Sequence, residues 1–283
     1  MYTALEILNL STDFLKQKGV KGARKEAEDL LSKVLGINRI ELYLQFDRPL
    51  TDDEINLSRK WLKQRASGEP LQYIFGKVDF YGCEICIDQR CIIPRQETEI
   101  LVDKIAKNLS SASSLEGKVL WDVCTGSGCI GIALKKKFPA LEVFLSDISE
   151  EAICLSRLNA AQNGVDLTVL QGDLLSAFEG KKCDFFVCNP PYISESEYES
   201  LEGEVREFEP KLALVSGKTG LEFYERLANC LFPMLNPEAK AWFEIGTGQG
   251  GAILQAFQAP CWKRVSVEND WSGHNRFFSL EIE

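Results

Sequence analysis

Two short stretches hold residues whose types and spacing could do chemistry. The first is Asp122-Val123-Cys124-Thr125-Gly126-Ser127-Gly128-Cys129-Ile130-Gly131, at the end of an apolar run near 119–124. Glycines at 126 and 128 let a ligand touch the backbone and let the chain turn sharply into a helix. Gly126-x-Gly128-x-x-Gly131 fits the dinucleotide-binding pattern. Asp147, 19 residues beyond Gly128 at the end of the next strand, suits a ribose diol. These residues alone leave NAD and S-adenosylmethionine (SAM) both open, beside the plainer reading of a tight turn that binds nothing. Asp122 favours SAM. An acid there lies close to the cationic methionine end, whereas it would repel a pyrophosphate placed at the helix N-terminus.

The second stretch is Asn189-Pro190-Pro191-Tyr192, which closes a strand near 184–188. Two prolines stop a sheet and stiffen the chain. Pro191 has no N–H to compete for the Pro190 carbonyl. That carbonyl and the Asn189 side chain offer two acceptors, which match the two hydrogens of a planar NH2 group. Tyr192 adds an aromatic wall for a flat amide or base. An amide nitrogen is a poor nucleophile, and a sulfonium methyl is a strong electrophile. The protein's task is therefore to aim the nitrogen and to favour charge building on it. Asn189, Pro190, Pro191 and Tyr192 are the catalytic candidates, with no metal and no nucleophilic side chain required.

These stretches need elements to hold them. After Gly117 the sequence alternates strand and helix, with strands expected near 119–124, 142–147, 167–171, 184–188, 240–245, 263–268 and 276–282. Helices are expected near 128–137, 149–163, 220–235 and 248–258. This alternation predicts a mostly parallel sheet covered on both faces. The link 268–275 is too short for a parallel crossover, so the last strand is expected to run antiparallel. A seventh, antiparallel strand marks the class I methyltransferase variant of the Rossmann-like α/β sheet.

Upstream, residues 3–67 read as a small helical bundle. Apolar stripes run from Leu5 to Leu15 and from Ala27 to Leu35, and Thr51 with Glu54 forms a capping box opening a helix to about Ala66. Gly68-Glu69-Pro70 ends that texture. Leu71–Phe75 and Val78–Ile87 read as strands with a turn near Gly76-Lys77, followed by a helix near 97–109 and a linker at 110–114. The expected domains are a helical bundle over 1–67, a hairpin and linker helix over 68–115, and a catalytic domain over 116–283.

The 283 residues carry a net charge of −10, unevenly spread. Residues 1–80 hold 13 basic and 12 acidic side chains; the remainder holds 19 and 30. An acidic body is a poor partner for a phosphate backbone. After the Asn-Pro-Pro-Tyr stretch, Glu195, Glu197, Glu199, Glu202, Glu204, Glu207 and Glu209 surround Arg206, an expected acidic mouth that disfavours nucleic acid. No apolar run is long enough to span a bilayer, and the N-terminus lacks a cationic leader. Ten cysteines without a leader read as reduced thiols in the cytoplasm. Cys83, Cys86 and Cys91 suggest a zinc site, but a structural site wants four ligands and there is one histidine, His274. Buried thiols in a strand and a turn histidine are the simpler readings.

Taken together, the chain resembles the N5-glutamine methyltransferases of peptide chain release factors. The resemblance rests on Gly68-Glu69-Pro70, Ile93-Pro94-Arg95, Thr98-Glu99, Asp122 to Gly128, Gly172-Asp173, Asn189 to Ile193, Arg206 to Pro210 and Glu244-Ile245-Gly246. It implies a helical N-terminal domain that docks the substrate, joined to a SAM-dependent domain that releases S-adenosylhomocysteine. The implied substrate is the glutamine of the Gly-Gly-Gln loop of class I release factors. Implied cofactor contacts are Cys124, Thr125, Gly126, Ser127, Gly128, Asp147, Leu174 and Asn189. Such relatives act as monomers, without direct contact to nucleic acid or membrane. The departures are Cys124 at a glycine-type position, Gln96 where a second proline is common, and Leu174 where some relatives stack an aromatic on adenine. A ribosomal-protein glutamine methyltransferase and an adenine-N6 nucleic-acid methyltransferase are the alternatives.

Overall fold

The computed structural model describes residues 2–283. The chain forms two compact units, Met1–Gly76 and Lys77–Glu283.

The first unit holds α1 (Ala4–Gln17), α2 (Ala23–Leu35), α3 (Arg39–Leu44), α4 (Asp52–Ala66) and α5 (Leu71–Phe75). Thr3, Asn38 and Thr51 each cap a helix and receive a Glu side chain back from the third helical position, so three starts are set locally. Leu8, Leu15, Leu30, Leu31 and Leu42 form the core. The Glu28 carboxylate is buried beneath the exposed side chains of Arg24, Arg39 and Tyr43, accepting from Arg24 Nε (2.8 Å), Arg39 Nη2 (2.5 Å) and Tyr43 Oη (2.7 Å). Burial alone would raise its pKa. The donors from Tyr43, Arg24 and Arg39 outweigh that and hold it below the ordinary carboxylate value.

The stretch Leu71–Phe75 is helical, not extended as the sequence reading expected. Pro70 starts α5 and Gly76, at φ +73°, closes it. A five-residue apolar run carries no periodicity that separates a buried helix from a strand. The hairpin lies further on, with β1 (Lys77–Phe80) paired antiparallel to β2 (Cys83–Cys86). Its two-residue turn is Tyr81-Gly82, both at positive φ, the arrangement that suits the twist of a hairpin.

Next come α6 (Gln96–Ser110), β3 (Val119–Val123), α7 (Cys129–Lys137), β4 (Glu142–Asp147), α8 (Glu150–Gln162), β5 (Thr168–Gln171) and β6 (Cys183–Cys188). A segment of short elements interrupts the alternation: β7 (Ile193–Ser194), α9 (Glu195–Tyr198), α10 (Gly203–Phe208), α11 (Lys211–Leu214) and β8 (Val215–Gly217). The sequence reading assigned nothing here, because four-residue elements show no period. The chain ends with α12 (Glu222–Cys230), β9 (Leu235–Glu244), α13 (Gly250–Ala256), β10 (Arg264–Asn269) and β11 (Asn275–Glu281). The helix expected to run to 235 stops at Cys230. A 3-10 turn containing Pro233 follows it.

The seven-stranded sheet has the order β10-β11-β9-β6-β3-β4-β5. β11 is antiparallel to both β10 and β9, as the short link before it requires. β3 and β6 lie at the centre, and their near-continuous apolar sequences are buried on both faces. Trp121 stacks on Phe178 at 4.0 Å, and Phe243 packs on Phe186, Phe257 and Phe278. The order reverses at β3, from which the chain first builds outward to β5 and then returns to β6. That reversal opens a crevice at the carboxyl ends of the central strands.

Glu28→Gln should lower the unfolding free energy by about 1–3 kcal/mol in urea titrations followed by circular dichroism. The folded pKa of Glu28 lies below its ordinary 4.5, so this stability is present above pH 4.5 and is lost as pH falls through the folded value. The two proteins should therefore converge in acid.

Candidate active site

Four strand ends supply the crevice: Cys124 after β3, Asp147 ending β4, Leu174 after β5 and Asn189 after β6. They line one cavity of ≈ 320 Å³ together with Gly126, Pro191 and Phe223. Cys124 (φ +57°) and Leu174 (φ +51°) are left-handed although neither is glycine. Strain of this kind persists where the surroundings hold it and is common at ligand walls.

The glycine loop is shaped from below. Asp122 is fully buried, and its Oδ2 accepts from Thr125 Oγ1 (2.6 Å) and from the Gly131 amide (2.9 Å). A Cβ on Gly131 would lie 2.2 Å from Leu145 Cδ2, and one on Gly128 would lie 2.9 Å from Ile132 Cδ1. Both glycines are therefore needed for the first turn of α7 to lie against β4 and α8. Thr125 donates its amide to Ser146 O at 3.0 Å. Asn159, missed in the sequence, donates to Ser127 O (2.8 Å) and exchanges two hydrogen bonds with Cys86. It ties the loop to β2, a contact across 73 residues that no local pattern announces.

Asp122 does not line the cavity, contrary to the placement expected from the sequence. Its burial raises its pKa from 3.8 to about 7, and one oxygen, Oδ1, has no hydrogen-bond partner among the described residues. Asp147 is the acid that does face the cavity. Its Oδ2 accepts from the Gly126 amide (2.9 Å) and its Oδ1 from the Ser149 amide (3.0 Å). Burial raises its pKa, and the amides of Ser149, Gly126 and Ile148 oppose that. Each carboxylate oxygen keeps a second acceptor site for an incoming hydroxyl.

Of the Asn189–Tyr192 turn, Asn189 and Pro191 line the cavity, whereas Pro190 and Tyr192 do not. Thr125, Ser127 and Gly128 are likewise outside the lining. Tyr192 turns away toward β9, its hydroxyl donating to Glu244 Oε1 at 3.4 Å. The aromatic ring on the lining comes from another element. Phe223 of α12 faces the cavity beside Leu174, with the Arg226 guanidinium over its ring at 5.7 Å. Arg226 in turn pairs with Asp173 at 2.6 Å.

Two segments distant in sequence also line the cavity, Arg90 to Ile92 and the stretch with Pro210, Leu212 and Ala213. Glu209 fastens them, accepting from the Ile93 amide (3.2 Å) and pairing with Arg95. Glu209 is thus buried and neutralised, so it is not part of the acidic mouth read from the sequence. Glu195, Glu197, Glu199, Glu202 and Glu207 are exposed. Cys83 and Cys86 fall on opposite sides of β2, one buried and one half-buried, and all ten cysteines are thiols. Among the described residues no cluster of three metal-ligating side chains occurs, and no helix is long and apolar enough to cross a membrane.

Comparison with known proteins places this geometry. Residues 6–76 match the family described as PrmC N-terminal domain, and residues 96–204 the methyltransferase small domain. A release factor glutamine methyltransferase of Chlamydia trachomatis serovar D is 40% identical over 276 residues, covering 98% of this chain and 93% of that protein. That of Geobacter sulfurreducens is 37% identical over 257 residues, covering 91% and 89%. That of Bacillus subtilis is 36% identical over 283 residues, covering 98% and 96%. Among solved structures, a Thermus thermophilus 16S rRNA N2 G1207 methyltransferase in complex with AdoMet and guanosine shares the fold. Its TM-score is 0.51 at 13% identity, over 73% of this chain and 50% of that one.

Asp122→Asn isolates the buried carboxyl under the loop. The unfolded side chain titrates near 3.8 and the folded one near about 7, so the folded state holds the extra proton between them. Wild type should therefore lose stability relative to the variant as pH rises through that window. Urea unfolding of both proteins at about pH 4.5 and 7.5 measures the difference; a gap that does not change with pH would mean that Asp122 is ionised when folded.

Proposed function

The chain belongs to the release factor glutamine methyltransferase family, and from that premise we propose that it methylates the side-chain amide nitrogen of a release-factor glutamine. The acceptor is the glutamine of the Gly-Gly-Gln loop of class I factors. The observation that carries this reading is the single cavity that joins Asp147 to Asn189. A carboxylate able to accept from hydroxyls and a side-chain amide oxygen thus share one lining.

The cavity suits SAM. Asp147 has acceptor sites to spare for a ribose diol, the backbone at Cys124 and Gly126 is open to a ligand, and Ile148, Leu174 and Phe223 give an apolar slot for a base. Asp147 and Glu151 leave the lining acidic on the side of β4 and α8, while Asp173 is paired with Arg226, which with Arg90 also lines the cavity. When bound, SAM supplies an electrophilic sulfonium methyl.

The chain's own residues do the rest. Asn189 accepts one hydrogen of the substrate NH2 through its side-chain oxygen, which holds the nitrogen in place and favours positive charge on it. The Pro190 carbonyl, between the lining residues Asn189 and Pro191, is the second acceptor this reading requires, although Pro190 itself is not on the lining. Pro191 and Ile92 exclude water around the amide. Tyr192 acts from behind the turn, because its hydroxyl is engaged with Glu244. Phe223 takes the stacking role that Leu174 cannot fill. The exposed glutamates over 195–207 face a basic protein surface better than a phosphate backbone, which favours a protein acceptor over the adenine-N6 alternative. Ten thiols suit a reducing cytoplasm.

Labelled SAM should transfer its methyl to a purified class I release factor and not to a Gly-Gly-Ala variant or to unmethylated DNA. Asn189→Ala should lower kcat by about 10²-fold or more. Label on DNA alone would overturn the reading.

A further inference from the structure

We infer that Gln249 is a positioning residue, holding the Asn189–Tyr192 turn in its reactive form; this rests on the amide-methylation reading above. The turn has little to fix it from within. Pro190 and Pro191 have no N–H to donate, so its shape must be set through its carbonyls and side chains.

Gln249 lies just after β9, outside the cavity, and its amide joins three separate segments. Its Nε2 donates to Tyr192 O (2.8 Å) and to Gly220 O (3.2 Å), and its Oε1 accepts from the Gly246 amide (2.9 Å). Both amide hydrogens and one acceptor site are thus used. The three segments are the exit of the turn, the start of α12 and the end of β9.

The neighbouring glycines show that the bridge is built in. A Cβ on Gly220 would lie 2.5 Å from Tyr192 O and 2.9 Å from Gln249 Nε2, and Gly220 is at φ +81°. A Cβ on Gly246 would lie 2.7 Å from Gln249 Oε1. Side chains at either position would displace the amide. Tyr192 is also held at its far end, where its hydroxyl meets Glu244. Glu244 is itself kept in place by Thr98 Oγ1 at 2.7 Å. The tyrosine is therefore pinned at both its carbonyl and its hydroxyl. Rotation of the turn that feeds Asn189 into the cavity is blocked.

The test is Gln249→Glu, which keeps shape and the Gly246 contact but replaces the donating NH2 by an oxygen facing two carbonyls. Gln249→Met removes both functions at similar length. Both variants should bind SAM within about twofold of wild type by calorimetry. Methyl transfer to release factor should fall about 10- to 100-fold in kcat, the cost of a small misplacement of a reacting group. Hydrogen exchange of the peptide over 192–198 should speed up in both. Unchanged exchange there, unchanged kcat, or SAM affinity that falls in step with kcat would overturn the proposal. If wild type binds SAM but labels no release factor, the substrate reading fails instead, and the exchange comparison still decides the role of Gln249.

Discussion

A carboxylate sealed under the glycine loop is the constraint on which the site depends. Asp122 cannot reach water, so its oxygens must find donors or take a proton. Its Oδ2 finds them in Thr125 and Gly131, the two sides of the loop it supports, while Oδ1 has no partner among the described residues and burial favours the protonated form. Holding those two points fixes where the chain leaves β3 and where α7 begins. The Gly126 amide then points at Asp147, and the loop and the end of β4 become one wall. The acid with the strongest sequence signal therefore shapes the loop from below, and Asp147, which ends the next strand, lines the cavity.

The segment at Pro210 follows the same logic at longer range. Glu209 is buried at the end of the interrupted segment, and Arg95 with the Ile93 amide neutralises it. The motifs around Pro94 and Pro210 look unrelated in the sequence. In the fold Glu209 ties them together beside the cavity. A buried ion pair gives modest net stability, but it gives a defined arrangement, because Glu209 has no solvated alternative. The remaining glutamates of that segment are left at the surface, where their charge can act on a partner.

The Asn189 turn is also held by groups outside the cavity. A chemical step that depends on aiming a weak nucleophile needs its acceptors fixed before the substrate arrives. Two prolines supply stiffness along the chain, and contacts from β9 and Gln249 supply it across the chain. The glycine loop and the segment at Pro210 are thus each held by one buried carboxylate, and the Asn189 turn by Glu244 and the half-buried Gln249, whose hydrogen bonds reach distant segments.

Local chemistry alone determined much of this protein. The capping box at Thr51, the alternating strands and helices, the antiparallel last strand, the glycine loop and the Asn-Pro-Pro-Tyr turn are readable because each depends on neighbours within a few residues or on a fixed period. The short apolar run at Leu71–Phe75 was misread because five residues carry no period, and the small elements over 193–217 were missed for the same reason. Tertiary structure decided which side chains meet. It moved Asp122 out of the cavity and Glu209 out of the acidic mouth, turned Tyr192 toward Glu244, and brought Phe223, Asn159 and Gln249 into play. These are contacts across tens of residues, and they arise from burial and hydrogen-bond satisfaction in the packed sheet, which no local sequence pattern encodes.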